Sequence, residues 1–436
     1  MTRKISMFKL TTSLAMALIL SLSLALPALA DPPTDPITWD FGTEEHPAKA
    51  ALTKILEMGH GTTTPTADFI FEFEPTSFDG RTTPEALATI PKIRTDWTVT
   101  LGFTGANTGT TVNGTKTIIR ESGDLFEGIN WPKTGVYVYT VSEREKTYTI
   151  DDEFKEDMIY SEAVYDLYVY VSEGKGGTRY VYAVGAVIVA ADSSNEDDVG
   201  SKVDPTPKDP DVTGDYSKMV FTNTYLKRTT DKEDEIDKNA FEVSKEVEGA
   251  ILDEGKYFEF SVTVSNPTVL DKEEQTYRAY VLNEAGAVVT AEENYASLGT
   301  DGKLQKYIEF ETGQPLTVHL KHGQRLIFTD LYVGGSFTVT EAAEADYTPR
   351  SVLTLDGDST NIPGAEGMPL TVPVSGVAYL GESTNSAAYT NAYKLVAPTG
   401  ISVDNLPYAV MLLAALAALV IAMAVKARKR AGHGGR

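Results

Sequence analysis

The sequence predicts an all-β protein built from two tandem β-sandwich domains, with helical character confined to its two ends. Tyr, Thr and Val, which suit a pleated and half-buried surface, are mixed through most of the chain, and Tyr alone occurs 22 times in 436 residues. Through the middle of the chain, apolar and polar residues alternate in short runs separated by turn formers, the period of strands rather than of helices. The same order of strands and polar residues then occurs twice, which sets the domain number at two.

Residues 1–30 open with Arg3, Lys4 and Lys9, continue through an apolar run at 14–26 and close on Ala28-Leu29-Ala30. A basic start, a short apolar core and a small-x-small site make a secretory signal peptide, with cleavage expected after Ala30. The run is short for a membrane span and no stop signal follows it.

Within residues 31–228, the first domain, strands are expected at 68–73, 97–103, 136–141, 164–171, 180–189 and 219–225. The fourth and fifth form a hairpin around Gly174-Lys175-Gly176-Gly177. That glycine cluster is a turn and not a phosphate loop, because no amphipathic helix follows it. Residues 229–239 are polar and charged, and read as a linker. In the second domain, 240–395, strands are expected at 241–247, 257–264, 278–282, 307–310, 316–320, 325–328, 336–340 and 387–393.

Three places make the repeat specific. Each domain puts one lysine among apolar neighbours in its first strand, Lys54 in Ala51-Leu52-Thr53-Lys54-Ile55-Leu56 and Lys245 in Phe241-Glu242-Val243-Ser244-Lys245-Glu246-Val247. Each ends a middle strand on glutamate, at Glu143 and Glu341. Each closes on an asparagine between aromatic residues, Asn223 in Phe221-Thr222-Asn223-Thr224-Tyr225 and Asn391 in Tyr389-Thr390-Asn391-Ala392-Tyr393. A strand lysine near a glutamate is ordinarily a solvated cross-strand pair, and an asparagine before a turn ordinarily bonds the backbone. Recurrence at matching positions favours chemistry instead.

Lys, Glu and Asn in this order resemble the intramolecular isopeptide domains of Gram-positive, streptococcal-type pilins, and the second domain also resembles the collagen-adhesin B-type repeat. The resemblance implies two immunoglobulin-like sandwiches in which Lys54 is joined to Asn223 and Lys245 to Asn391, with Glu143 and Glu341 as the acids of a single self-directed reaction. The residue types suit it. A buried lysine loses its charge and becomes nucleophilic, and a buried glutamate keeps a proton to relay.

Near the C-terminus, Val396-Ala397-Pro398-Thr399-Gly400 precedes twenty uncharged residues, 406–425, and then Lys426, Arg428, Lys429 and Arg430 within the tail 426–436. Twenty apolar residues suffice for a transmembrane helix, and the basic tail holds its far end inside the cell. A Pro-Thr-Gly motif at 396–400 ahead of such a span resembles the cell-wall sorting signal of Gram-positive surface proteins. The resemblance implies that a sortase cuts between Thr399 and Gly400 and passes the Thr399 carboxyl to an amine. Val396 and Ala397 stand where the common form has Leu and Pro, as in the variant signals of some pilus subunits.

Composition narrows the partners. A net charge of -24 disfavours nucleic acid, and zero cysteines exclude disulfides and thiolate chemistry. His319 and His322 are spaced to opposite faces of a strand and make no metal pair. Asp356-Gly357-Asp358-Ser359-Thr360-Asn361 lacks the downstream glutamate of a calcium loop and reads as a turn. No nucleophile elbow or dinucleotide fingerprint occurs, so no cofactor and no turnover enzyme are expected. The expected protein is a structural one at the cell wall, a pilus backbone subunit joined covalently to its neighbours. The alternative is a wall-anchored adhesin or stalk bound to peptidoglycan, with the host ligand open. Lys218 and Lys133 are the candidate polymerisation lysines by likeness to pilins, with Lys202 and Lys208 also open.

Overall fold

The computed structural model describes residues 41–94, 96–150, 156–192, 198–209, 215–229, 241–249, 253–270, 275–289, 307–393 and 406–431. The expected signal peptide, the sorting motif at 396–400 and all of the linker but Thr229 lie outside the described residues.

Among the described residues, eleven strands make the first sandwich: β1 (Thr53–Gly59), β2 (Ala67–Phe78), β3 (Thr98–Phe103), β4 (Thr110–Val112), β5 (Thr115–Glu121), β6 (Gly135–Glu143), β7 (Glu156–Ile159), β8 (Val164–Glu173), β9 (Arg179–Ala190), β10 (Lys202–Val203) and β11 (Val220–Lys227). They form two sheets, β4-β5-β1-β11-β7 and β10-β9-β8-β6-β2-β3, with a four-residue helix α1 (Pro84–Leu87) after β2. The inward residues alternate as a two-layer sandwich requires, and Phe69, Phe71, Phe73, Tyr137, Tyr139, Leu167 and Phe221 fill the space between the sheets.

The second sandwich follows with β12 (Phe241–Glu248), β13 (Phe258–Ser265), β14 (Thr276–Leu282), β15 (Ile308–Glu311), β16 (Leu316–Leu320), β17 (Gln324–Phe328), β18 (Ser336–Glu341), β19 (Tyr347–Leu355), β20 (Asp358–Pro363), β21 (Leu370–Val372), β22 (Ala378–Tyr379) and β23 (Asn385–Tyr393). Its sheets are β15-β14-β17-β12-β23-β19-β20 and β16-β13-β18-β21, with β22 also on β18. The turn expected at Asp356-Gly357 joins β19 to β20, and both turn residues have positive φ, 49° and 87°. His319 lies on β16 and His322 in the turn after it, against different carboxylates, Glu259 and Glu246.

In both domains the first and last strands are parallel neighbours, β1 beside β11 and β12 beside β23. Antiparallel pairs dominate the remaining ladders, so this pairing is the topological signature of the repeat. Two sequence-distant ends meet there, in the centre of a sheet.

The domains touch directly. The end of β11 runs into the second domain, where the Val333 N–H donates to the Lys227 carbonyl and the Thr229 N–H to that of Leu331. Arg228 donates to the Asp330 carbonyl and the Tyr332 hydroxyl, and its guanidinium lies 4.3 Å from the centre of the Tyr332 ring. Glu382 accepts from the Thr63 N–H and pairs with Lys227 at 3.1 Å. His60 stacks on Tyr379.

The C-terminal segment forms a helix α2 (Leu406–Ala431) whose described side chains, at 408 and 410–426, are all exposed. The expected transmembrane helix at 406–425 falls on it. Among the described residues, however, no helix is long and apolar enough to cross a membrane.

At the domain junction Gly334 has φ +81°, and a Cβ there would stand 2.5 Å from Gly59 Cα. Gly334→Ala is therefore expected to destabilise the second domain by about 1–3 kcal/mol through strain and overpacking. Chemical denaturation measures it, and an unchanged midpoint would mean that the domains do not pack at this point.

Candidate functional sites in the two sandwich cores

Each parallel first–last pair carries a lysine and an asparagine into the core where an apolar side chain belongs. On β1 the inward positions are Lys54, Leu56 and Met58, and on β11 they are Phe221, Asn223 and Tyr225. Lys54 lies opposite Phe221, and Leu56 opposite Asn223. The second domain repeats this register, with Lys245 opposite Tyr389 and Val247 opposite Asn391. Lysine and asparagine thus sit two positions apart on adjoining strands, pointing to one side of the sheet. From the facing sheet, Glu143 ends β6 opposite Phe71, and Glu341 ends β18 opposite Phe260.

The structure brings all six predicted residues together as two triads. In the first, Lys54 Nζ donates to Glu143 Oε2 at 2.7 Å and Asn223 Nδ2 donates to Glu143 Oε1 at 2.7 Å. In the second, Lys245 Nζ and Asn391 Nδ2 both donate to Glu341 Oε1, each at 2.7 Å. Lys54, Asn223 and Lys245 are wholly shielded from solvent, and Glu341 and Asn391 are 1% exposed. A charged pair at such depth is strongly disfavoured unless its proton moves to leave both partners neutral.

Aromatic rings do the shielding. Lys54 Nζ stands 4.7 Å from the Phe69 ring centre, and Lys245 Nζ 4.1 Å from that of Phe258. Phe71 against Phe221, and Phe260 against Tyr389, complete the walls. These rings were legible only as strand residues. Their spacing two apart on β2 and β13 was the signal that they share one face of their own sheet, the face turned toward the lysine on the opposite sheet.

Burial pushes both amines down to about 8, with the adjacent glutamate acting in the opposite direction. The same burial pushes Glu143 and Glu341 up, opposed by the facing lysine. The two directions agree: the arrangement favours a neutral amine beside a protonated acid. A neutral amine can attack the asparagine side-chain carbonyl, and an acid within 2.7 Å of the Asn223 nitrogen can supply the proton it needs to leave.

Of the candidate polymerisation lysines, Lys218 and Lys133 are exposed, Lys218 with Nζ 4.1 Å from the Tyr216 ring centre and Lys133 with Nζ 5.7 Å from that of Phe78. Neither touches a triad among the described residues. Thr399 and Gly400 lie outside the described residues.

Residues 50–226 match the family described as the Spy0128-like isopeptide containing domain. The first sandwich matches that family along almost its whole length. The match runs from just before Lys54 to just after Asn223, so it encloses the first triad. Residues 239–369 match a domain of unknown function, DUF7601, which contains Lys245 and Glu341 and stops short of Asn391. Among solved structures, the chain is similar to the major pilin of Streptococcus pyogenes, at 19% identity and TM-score 0.30 over 80% of this chain and 100% of that one. It is also similar to the T3.2 major pilin of that species, at 18% identity and TM-score 0.28 over 80% and 99%. A pilus-presented adhesin, Spy0125 (Cpa), gives 11% identity and TM-score 0.23 over 79% and 99%. These global likenesses are weak, and the assignment rests on the family match. None of the curated proteins compared with the chain matches it.

The amines also set a pH dependence. In an Asn223→Ala, Asn391→Ala protein both lysines stay amines, held at about 8 when folded against an ordinary ~10.4 when unfolded. Between these values the unfolded chain binds more protons, so the amines make stability rise with pH from about 8 to about 10, with no slope below. The raised carboxyls act with the opposite sign from their ordinary ~4.3 upward. Urea midpoints at pH 8 and pH 10, compared with those of a Lys54→Met, Lys245→Met protein, should show the extra rise. Equal slopes in the two proteins would place the amines in solvent.

Proposed function

We propose that this protein is a pilus backbone subunit of a Gram-positive cell surface, whose two domains each close on themselves by a lysine–asparagine isopeptide bond. The observation that carries the reading is the duplicated triad, with the same strand register and a glutamate bridging lysine and asparagine in each of two sandwiches of different sequence. In each, the amine Nζ forms a bond to the asparagine Cγ, the Cγ–Nδ2 bond breaks, and ammonia leaves. Glu143 and Glu341 relay the amine proton to the departing nitrogen. By analogy with other cross-links that close loops of more than a hundred residues, each bond would stabilise by about 4–5 kcal/mol, with no oxidant required.

Polymerisation through a sortase is supported by the sequence 396–400 and by the placement of the candidate lysines. The start of β11 is the end of the first domain away from the junction, since its other end, Lys227, meets Val333. Lys218 stands just before that start, and Lys133 just before β6, whose first residues pair with Phe78 at the same far end of β2. On the other side, β23 begins beside Glu382 at the junction and ends at Tyr393, away from it. The last strand therefore ends on the side of the molecule opposite to both lysines, as head-to-tail joining requires. Retention at the membrane before sorting is supported by the uncharged residues 406–425 and the basic cluster after them.

Two measurements test this. The intact mass of the secreted protein should fall short of the calculated mass by two ammonia molecules, with Glu143→Ala and Glu341→Ala each restoring one. A full calculated mass in folded protein would refute the bonds. Denaturing gels of cell-wall extract should show a high-mass ladder that Lys218→Ala abolishes. Loss of the ladder in Lys133→Ala alone would move the role to Lys133, and a discrete wall-fragment band in the wild type would make the protein a monomeric anchored adhesin.

A further inference from the structure

The two triads differ at the atom that must take up negative charge. When an amine adds to an asparagine side-chain carbonyl, Oδ1 becomes an oxyanion, and a donor already aimed at it lowers the barrier. At the first site that donor is present: the Ser161 main-chain N–H donates to Asn223 Oδ1 at 2.7 Å, in a buried contact. At the second site Asn391 Oδ1 has no hydrogen-bond partner among the described residues, although it is buried. In both triads Nδ2 is the asparagine atom that faces the glutamate, which turns Oδ1 away from it.

The difference has a cause in the strand next to each asparagine. In the first domain β7 leaves the ladder at Ile159, paired with Thr224, one step short of Asn223. The chain then passes through buried Ser161, free of the ladder, and its N–H goes to the Asn223 side chain. Asp192 fixes this segment, accepting from the Ser161 hydroxyl and from the N–H groups of Glu162 and Ala163. In the second domain β19 stays in the ladder past the asparagine, and the residue opposite Asn391 is Pro349, which has no N–H to give. The carboxyls follow suit. Both oxygens of Glu143 are engaged, one by Lys54 and one by Asn223, whereas Glu341 uses Oε1 for both partners and leaves Oε2 without one among the described residues.

We propose that the Ser161 main-chain N–H is the oxyanion donor of the first site, and that the two domains therefore close in order, the first well before the second. At the first site the work is divided. Glu143 moves the proton from Lys54 Nζ to the departing Asn223 nitrogen, while Ser161 holds the charge on Oδ1, and the net change is one amide formed, one amide broken and one ammonia released. At the second site Glu341 alone must serve both ends. Asp192 is a positioning residue, acting through the segment 161–163.

The inference rests on the isopeptide reading, and the test separates the two. The full chain is synthesised in vitro, quenched in acid at intervals and weighed intact, with Asn391→Ala reporting closure of the first domain and Asn223→Ala that of the second. The first is expected to lose its ammonia at least about tenfold sooner, since removal of one oxyanion donor slows such reactions on the order of 10²-fold. Replacing the Ser161 N–H by an ester oxygen, through the α-hydroxy analogue of serine, deletes the donor and keeps the side chain. It should slow the first closure toward the rate of the second, while the second, in the same chain, keeps its pace and serves as an internal clock for folding. Equal rates at the two sites, or an ester chain that closes at the unmodified rate, would overturn the proposal and leave the bonds standing. If neither site of the unmodified chain loses ammonia, the bonds themselves fall, and the proposal with them.

Discussion

Everything distinctive in this protein depends on placing an amine where an amine should not be. A lysine in the gap between two sheets is tolerable only as far as it can give up its charge, and burial drives Lys54 and Lys245 toward the neutral amine while it raises the carboxyl beside each. The aromatic walls that make the site apolar are therefore part of its chemistry. Phe69 and Phe258 shield the nitrogen from water, and that shielding favours the neutral amine, the form able to act as a nucleophile.

The fold supplies the second requirement, that the attacked group be held beside the attacker. Parallel pairing of first and last strands sets lysine and asparagine two register positions apart in both domains, although the residues between them differ in number and sequence. Asn385 illustrates what an ordinary buried asparagine looks like on the same strand as Asn391. Its oxygen accepts from Gly381 and Asp356, and its nitrogen donates to the carbonyls of Gly381 and Ser383. It is fully engaged in shaping a turn, whereas Asn391 presents an open carbonyl oxygen to the core.

The triads were legible in the sequence because each member interrupts an apolar alternation, and because the interruption happens twice. Most strands were legible for the same reason. β5 was not, since a single one of its residues is fully buried and its pattern gives no clean period of two. The hairpin of β19 and β20 was hidden by Pro349, which argues against a strand, although the Asp356-Gly357 turn at its tip was evident. Ser161 could not be found by scanning side chains, because what it contributes is a main-chain N–H released by the early end of a strand. Asp192 stands at the head of an acidic stretch and looks in sequence like a solvated charge.

The parallel pairing of the outer ends has a mechanical meaning. A chain that enters one end of β1 and leaves by the opposite end of β11 is pulled along the strands, so tension shears the ladder and loads its hydrogen bonds together rather than unzipping them one by one. With Lys54 bonded to Asn223, tension would pass from one strand to the other through a single covalent step, and residues 55–222 would form a ring that carries none of it. A fibre built of such rings lengthens only where the chain lies outside them, which makes the connecting segments its springs and the domains its inextensible links.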